Sequence, residues 1–182
     1  MSRMEIQLAG SGGQGVILAS VILSEAAVLA GKYTAQSQSY GPEARGGSCK
    51  AETLISDTPI GFTKVQKPTF LMALTQDSLD HYAKNVNEEC TVLVDATLVI
   101  PENLKKEQVV AMPIIDTARD VVGRVQTANI VAIGCINELL HITDEETMKE
   151  AVMMHIPKGT SELNLKAFAE GIRMMRERKE PA

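Results

Sequence analysis

A tyrosine, a glutamate and an arginine stand in a frame of glycine and proline at Ser39-Tyr40-Gly41-Pro42-Glu43-Ala44-Arg45-Gly46-Gly47. Glycine tolerates positive φ and close backbone approach, while Pro42 fixes its own φ near about −65° and offers no amide donor. A frame of this stiffness would present Glu43 and Arg45 for charge-assisted hydrogen bonds and Tyr40 as an amphipathic anchor. The planar fork of Arg45 also suits a phosphate. The same composition serves a plain tight turn, so the stretch gains meaning only from what accompanies it.

What accompanies it is a second loop upstream, Gly10-Ser11-Gly12-Gly13-Gln14-Gly15. It follows the apolar alternation Ile6-Gln7-Leu8-Ala9, read as a first strand. It precedes the apolar run 16–30, read as a helix closed by Gly31 as C-cap. Strand, glycine turn and helix open a βαβ unit, and Gly10, Gly12 and Gly15 satisfy the dinucleotide fingerprint G-x-G-x-x-G. One requirement of that fingerprint fails. An acid about 20 residues on, at the end of the second strand, should hold the ribose 2′-hydroxyl. That region reads Tyr33-Thr34-Ala35-Gln36-Ser37-Gln38-Ser39, with no acid before Glu43. The turn amides then face an anion, a partner loop or water. If Gly12 is the residue with positive φ, a β-branched replacement there costs on the order of 1–3 kcal/mol.

The elements that position these loops read as an alternation of strands and helices. Residues 48–56 alternate as a strand, and 69–74, 91–95 and 109–112 are short apolar runs expected of buried strands, the last ended by Pro113. Residues 77–86 read as a helix with Leu79, Tyr82, Ala83 and Val86 on one side. Residues 129–140 read as a helix buried on more than one face, and 163–178 as an amphipathic one. Thr143 with Glu146 reads as a capping box opening a helix over 145–154. The pattern predicts one α/β, Rossmann-like domain over residues 1–182, a mostly parallel open sheet with helices on both faces.

Composition narrows the function. The chain has 182 residues, 45% of them hydrophobic, and a formal net charge of −5. No basic block interleaves with aromatics, so nucleic acid is not an expected partner. The run 16–30 is too short for a bilayer span and carries Glu25, which argues against a membrane and for a cytoplasmic protein. Cys49, Cys90 and Cys135 stand alone, without C-x-x-C, and read as small hydrophobes; no cluster spacing exists here. His81, His141 and His155 are far apart in sequence, and the methionine pairs at 153–154 and 174–175 suit core or interface. Residues 176–180 read as a solvated helix end. Asp95, ending a strand, is either a ligand group or a cap for the next segment. No general acid–base pair emerges, so no catalytic residue is expected.

Gly10-Ser11-Gly12-Gly13-Gln14-Gly15 after the first strand, together with Ser39-Tyr40-Gly41-Pro42-Glu43-Ala44-Arg45-Gly46-Gly47 after the second, resembles the gamma subunit of 2-oxoacid:ferredoxin oxidoreductases. The second loop is most similar to the 2-oxoglutarate-oxidising members. The resemblance spans the chain in length and element order. It implies a heteromeric enzyme that oxidatively decarboxylates a 2-oxoacid, transfers the acyl group to coenzyme A and passes electrons to ferredoxin. It further implies that thiamine diphosphate, magnesium and iron–sulfur clusters of the 4Fe–4S type sit on alpha, beta and delta-type ferredoxin-like subunits. This chain would be structural, its two loops forming a ridge against those subunits or over the coenzyme A entry. Arg45 would meet either a partner carboxylate or a coenzyme A phosphate, and a homodimer of the isolated chain stays open. The alternative from the residues alone is a free-standing nucleotide-binding oxidoreductase with the Gly10–Gly15 turn as its pyrophosphate cradle.

Overall fold

The computed structural model describes residues 3–40 and 48–178. Its strands are β1 (Met4–Ser11), β2 (Tyr33–Tyr40), β3 (Ser48–Ser56), β4 (Phe70–Ala73), β5 (Thr91–Asp95) and β6 (Val109–Met112). The helices are α1 (Val16–Leu29), α2 (Gln76–Tyr82), α3 (Ile114–Asp116), α4 (Ala128–Leu140), α5 (Glu145–His155) and α6 (Ser161–Glu177). All six strands join one sheet in the order β2-β3-β1-β4-β5-β6. β1, β4, β5 and β6 pair in parallel, whereas β3 is antiparallel to both β1 and β2.

Two successive antiparallel pairings restore direction, so β2 runs parallel to β1 with β3 inserted between them. The opening βαβ unit is therefore split. The sheet is the expected mostly parallel one with helices on both faces, and its antiparallel part is confined to the β3 insertion.

Side-chain alternation assigns the two faces. Ile6, Leu8, Cys49, Ala51, Phe70, Met72 and Leu93 point into the larger core, against α1, α4, α5 and α6. Leu71, Ala73, Val92 and Val94 point the other way, where Leu79 and Ala83 cover them. β4 is buried on both faces, as its unbroken Phe-Leu-Met-Ala run predicts. α1 is apolar nearly all round; it lies over β3 and β2 and joins the sheet through a buried bond between Ser20 Oγ and Thr53 Oγ1 of 2.8 Å. α4 is buried from Ala128 through Asn137 and crosses α6 at backbone contact. Glycine makes this crossing: a Cβ on Gly134 would lie 3.0 Å from the Ile172 nitrogen, and one on Gly171 would lie 3.0 Å from the Cys135 nitrogen.

Two local expectations change. The cap of α5 is Asp144 rather than Thr143: Asp144 Oδ1 accepts from the Thr147 amide at 2.9 Å, and the Thr143 hydroxyl bonds the Asp144 carboxylate. An aspartate carboxylate outcompetes a hydroxyl for the free first-turn amides because it carries full charge. α2 stops at Tyr82 and tightens into a 3₁₀ turn over Ala83–Asn85. The stretch after Pro113 is α3, which continues as a π-helical turn over Thr117–Val122 and ends at Gly123 with φ 94°. Among the described residues no helix is long and apolar enough to cross a membrane.

Candidate functional site

The glycine turn between β1 and α1 is braced from inside by Gln14. Its Oε1 accepts from the Ser11 amide at 2.8 Å, its own amide donates to the Ser11 carbonyl at 3.2 Å, and Nε2 reaches the Leu74 carbonyl at the end of β4. A Cβ on Gly10 would lie 2.5 Å from that same Oε1 and 2.9 Å from Val16 Cγ2, so a side chain there would displace the Gln14 brace. The left-handed residues of the turn are Gly13 (φ 95°) and Gly15 (φ 71°), so the strain anticipated at Gly12 sits one and three residues further on. Gly15 is the N-cap of α1, and no side chain caps that helix. Asn129 at the start of α4 locks the position: its Nδ2 donates to the Gly15 carbonyl, and a Cβ on Gly15 would lie 2.5 Å from it.

Strand register brings the roots of the two loops together. Gly10 pairs with Cys49, and Cys49 pairs with Tyr40; Ser11 pairs with Ser48. The hairpin connection from β2 to β3 therefore springs from the same end of the sheet as the Gly12–Gly15 turn. That end is also where the parallel strands β1, β4, β5 and β6 present their carboxyl termini, the usual ligand edge of an α/β sheet. Of the second loop's expected residues, Ser39 and the backbone of Tyr40 belong to β2. Gly41, Pro42, Glu43, Arg45, Gly46 and Gly47 lie outside the described residues.

Asp95 stands at the same edge and is consumed there. Fully buried, it accepts from the Thr97 amide and hydroxyl through Oδ1, at 3.1 and 2.6 Å, and from the Ile115 amide through Oδ2 at 2.8 Å. Of its two readings it takes the cap.

Beside Ser39 the polar face of β2 and β3 opens into a cleft of about 380 Å³ lined by Ser37, Gln38, Ser39, Lys50, Glu52, Lys64 and Val65. Glu52, only 6% exposed, accepts from Lys50 Nζ at 2.5 Å, from Ser37 Oγ at 3.1 Å and from the Val65 amide at 3.4 Å. Glu5, two positions along the same face of β1 from Gln7, receives the Gln66 and Lys67 amides at 2.7 and 3.0 Å. Two strand carboxylates thus pin the segment that brings Lys64 to the cleft. Sequence reasoning passed over Lys50, Glu52, Lys64 and Asn129. The alternation Lys50-Ala51-Glu52 was the available signal, since it puts both charges on the face opposite Ala51.

The turn does not fit a dinucleotide. A Rossmann ribose is held from the strand next to β1, and here that neighbour is β3, with β2 one strand further out. Nor do the thiols fit a cluster. Cys90 and Cys135 are buried with their pKa pushed up to about 12, and burial raises that of Cys49 as well, so each prefers to stay a neutral thiol. Among the described residues no three His, Cys, Asp or Glu side chains come together as metal ligands. His141 is the left-handed C-cap of α4, His81 packs edge-on against Tyr82, and His155 Nε2 lies 3.9 Å from Glu25. Met174 is buried, with Sδ 3.0 Å from Thr117 Oγ1, while Met153 and Met154 are exposed. Arg176, exposed near the end of α6, pairs both Glu138 oxygens at 3.0 Å.

Comparison with known proteins gives one consistent answer. The sequence profile named pyruvate ferredoxin/flavodoxin oxidoreductase matches residues 5–174. The 2-oxoglutarate synthase subunit KorC of Methanocaldococcus jannaschii is 44% identical over 178 residues, covering 96% of this chain and 95% of that protein. The solved structure of the keto/oxoacid ferredoxin oxidoreductase gamma subunit from Geobacter sulfurreducens superposes with a TM-score of 0.84 at 42% identity, covering 96% of this chain and 99% of that one. A 2-oxoglutarate:ferredoxin oxidoreductase from Magnetococcus marinus, solved with 2-oxoglutarate, coenzyme A and succinyl-CoA bound, shares the fold. Its TM-score is 0.87 at 19% identity, over all of this chain and 32% of that one.

Proposed function

The chain belongs to the pyruvate ferredoxin/flavodoxin oxidoreductase family, and from that premise we propose that it is the gamma subunit of a heteromeric 2-oxoacid:ferredoxin oxidoreductase whose oxoacid is 2-oxoglutarate. The assembled enzyme converts the oxoacid and coenzyme A to an acyl-coenzyme A and carbon dioxide, and passes the electrons to ferredoxin. The observation that carries this reading is the near full-length match to a 2-oxoglutarate synthase subunit. Thiamine diphosphate, magnesium and the 4Fe–4S clusters belong to alpha, beta and delta-type subunits, and the complex is cytoplasmic.

This chain's own contribution is a rigid edge. Gly10, Gly12, Gly13, Gln14 and Gly15 form one ridge, and the loop rooted at Ser39 and Tyr40 forms its neighbour. The internal bracing by Gln14 and Asn129 supports this, because a preordered surface loses little freedom on docking. Tyr40, Glu43 and Arg45 meet the partner subunits or coenzyme A from the second loop. In the cleft beside Ser39, Lys50 is already paired with Glu52, and exposed Lys64 is the cation that supports an anion nearby.

Co-expression with the alpha, beta and delta-type subunits tests the assignment. The complex should reduce a viologen dye with 2-oxoglutarate and coenzyme A in preference to pyruvate, and the purified single chain should be inert. Turnover by the single chain, or its failure to join the complex, would refute the proposal. Arg45→Ala separates the two roles of the loop: weaker assembly marks a subunit contact, whereas an intact complex with a raised KM for coenzyme A alone marks a phosphate contact.

A further inference from the structure

The two edges of the sheet are built very differently. β6 has four residues, follows Lys105, Lys106 and Glu107, and stops at Pro113. Shortness, charge and proline are the ordinary means of keeping an edge from recruiting another strand. β2 uses none of them. It is eight residues long, Tyr33-Thr-Ala-Gln-Ser-Gln-Ser-Tyr40, without a charge, a proline or a glycine. It pairs with β3 residue for residue from Tyr33↔Ser56 to Tyr40↔Cys49, so no bulge twists it away. Its outer side has no strand partner among the described residues.

The flank of this edge is apolar as well. α1, which lies over β2 and β3, carries Glu25 as its single charge, and Val28 and Leu29 at its end are 52% and 40% exposed. Tyr33 at the start of the strand is 50% exposed. A helix apolar on every side belongs in an environment covered on every side.

We propose that β2 pairs antiparallel with β2 of a second copy of this chain, about a two-fold axis near Gln36 and perpendicular to the sheet. The charge pattern selects this occupant. Across such an axis the faces stay matched, so each residue near the centre meets its own copy or that of a close neighbour. Any charge there would meet a like charge, which is destabilising directly opposite in a ladder. β2 holds only Gln, Ser, Thr, Ala and Tyr, and the Gln36 carboxamide both donates and accepts, so it can pair with itself. The pairing makes one continuous sheet and draws the two α1 helices together over the same face. It takes in Ser39 and Tyr40 at the root of the second loop and leaves the Gly12–Gly15 turn, on the far side of β3, untouched.

The test is the mass of the isolated chain by light scattering and sedimentation across a wide concentration range. The native chain should dimerise. Gln36→Lys and Gln36→Glu should each be monomeric, with dissociation constants at least about tenfold higher from the like charges at the axis, and with unchanged circular dichroism. An equimolar mixture of the two variants should restore a dimer, because lysine then faces glutamate. A native chain that is monomeric throughout, single variants that still dimerise, or a mixture that stays monomeric would each overturn the proposal. If the chain is monomeric alone but Gln36→Lys weakens assembly with the other subunits, the strand that β2 takes is theirs and the second copy is refuted.

Discussion

Replacing Gly134 by alanine adds one methyl group at the close crossing of α4 and α6. That methyl would sit 3.0 Å from the Ile172 nitrogen and 3.1 Å from Gly171 Cα, and closer still to the Phe168 carbonyl oxygen. None of these is the yielding end of a side chain, so α4 and α6 must part. Ordinary contact begins near 3.4 Å, and relief at the carbonyl requires a shift of up to about 1 Å. A gap of ~0.5–1 Å forfeits roughly a quarter to a half of each dispersion well along the crossing. Overpacking of this sort costs about 1–3 kcal/mol or more. Alanine returns about 0.5–1 kcal/mol through its better helix propensity. The loss from Phe168, Ile172 and Val131, all buried, puts the total at the upper end, so the net destabilisation expected is about 2 kcal/mol. For a chain of this size that lowers Tm by about 4–8 °C. The sequence contains no tryptophan, so urea unfolding is best followed by far-ultraviolet circular dichroism. Gly61→Ala, with nothing within 4 Å, is the matched control and should be neutral. Gly171→Ala should cost as much as Gly134→Ala, and the double variant less than the sum, because one separation of the helices relieves both. An unchanged or raised midpoint for Gly134→Ala would refute the crossing as described.

In the β1–α1 turn, Gly13→Ala meets open space and should cost only the left-handed strain of about 1–2 kcal/mol. Gly15→Ala adds a clash with Asn129 and should cost more, with Asn129→Ala in the same chain recovering the difference by urea midpoint; equal costs at the two glycines would contradict the bracing. Burial makes the Cys90 and Cys135 thiols reluctant to ionise before a pKa of about 12, whereas unfolded cysteine ionises near about 8.5. The unfolded state therefore sheds protons first, and stability should fall as pH rises through that window; native thiols should resist iodoacetamide at mildly alkaline pH, and rapid alkylation would count against this burial.

Much of this architecture was legible where the physics is local. The unbroken apolar runs at 70–73 and 91–95 identified strands buried on both faces, and the all-round apolar helix at 128–140 announced its burial. The glycine turn at 10–15 stood out by composition, and two of its glycines, Gly13 and Gly15, do take left-handed backbone. What escaped was set by long-range pairing. Nothing in residues 4–11 says that their neighbour is 48–56 rather than 33–40, and that substitution is what empties the ribose position. Asn129 is unremarkable in sequence and matters because folding carries it against Gly15. The Lys50–Glu52 pair looks like ordinary strand-surface charge until Ser37 and Val65 close around it. At Asp144 the choice between adjacent caps turned on one carboxylate, a distinction below the grain of a motif.

The insertion of β3 also sets a timetable for the growing chain. β1 lies third of six in the sheet, yet both strands that flank it are made later: Ile6 pairs with Thr53 on one side and Phe70 on the other. During synthesis the first strand and its apolar helix leave the ribosome with no adjacent ladder to join, and loop closure must span the intervening hairpin before β1 is held. The β2–β3 hairpin can form first, since its strands are consecutive, and it then offers the open side of β3 as the template on which β1 is captured. A nascent chain halted before residue 70 would hold β1 by one edge only, with the apolar side chains of Ile6 and Leu8 half covered. A partly folded chain of that kind exposes apolar surface and an unpaired strand edge, the ordinary route to aggregation.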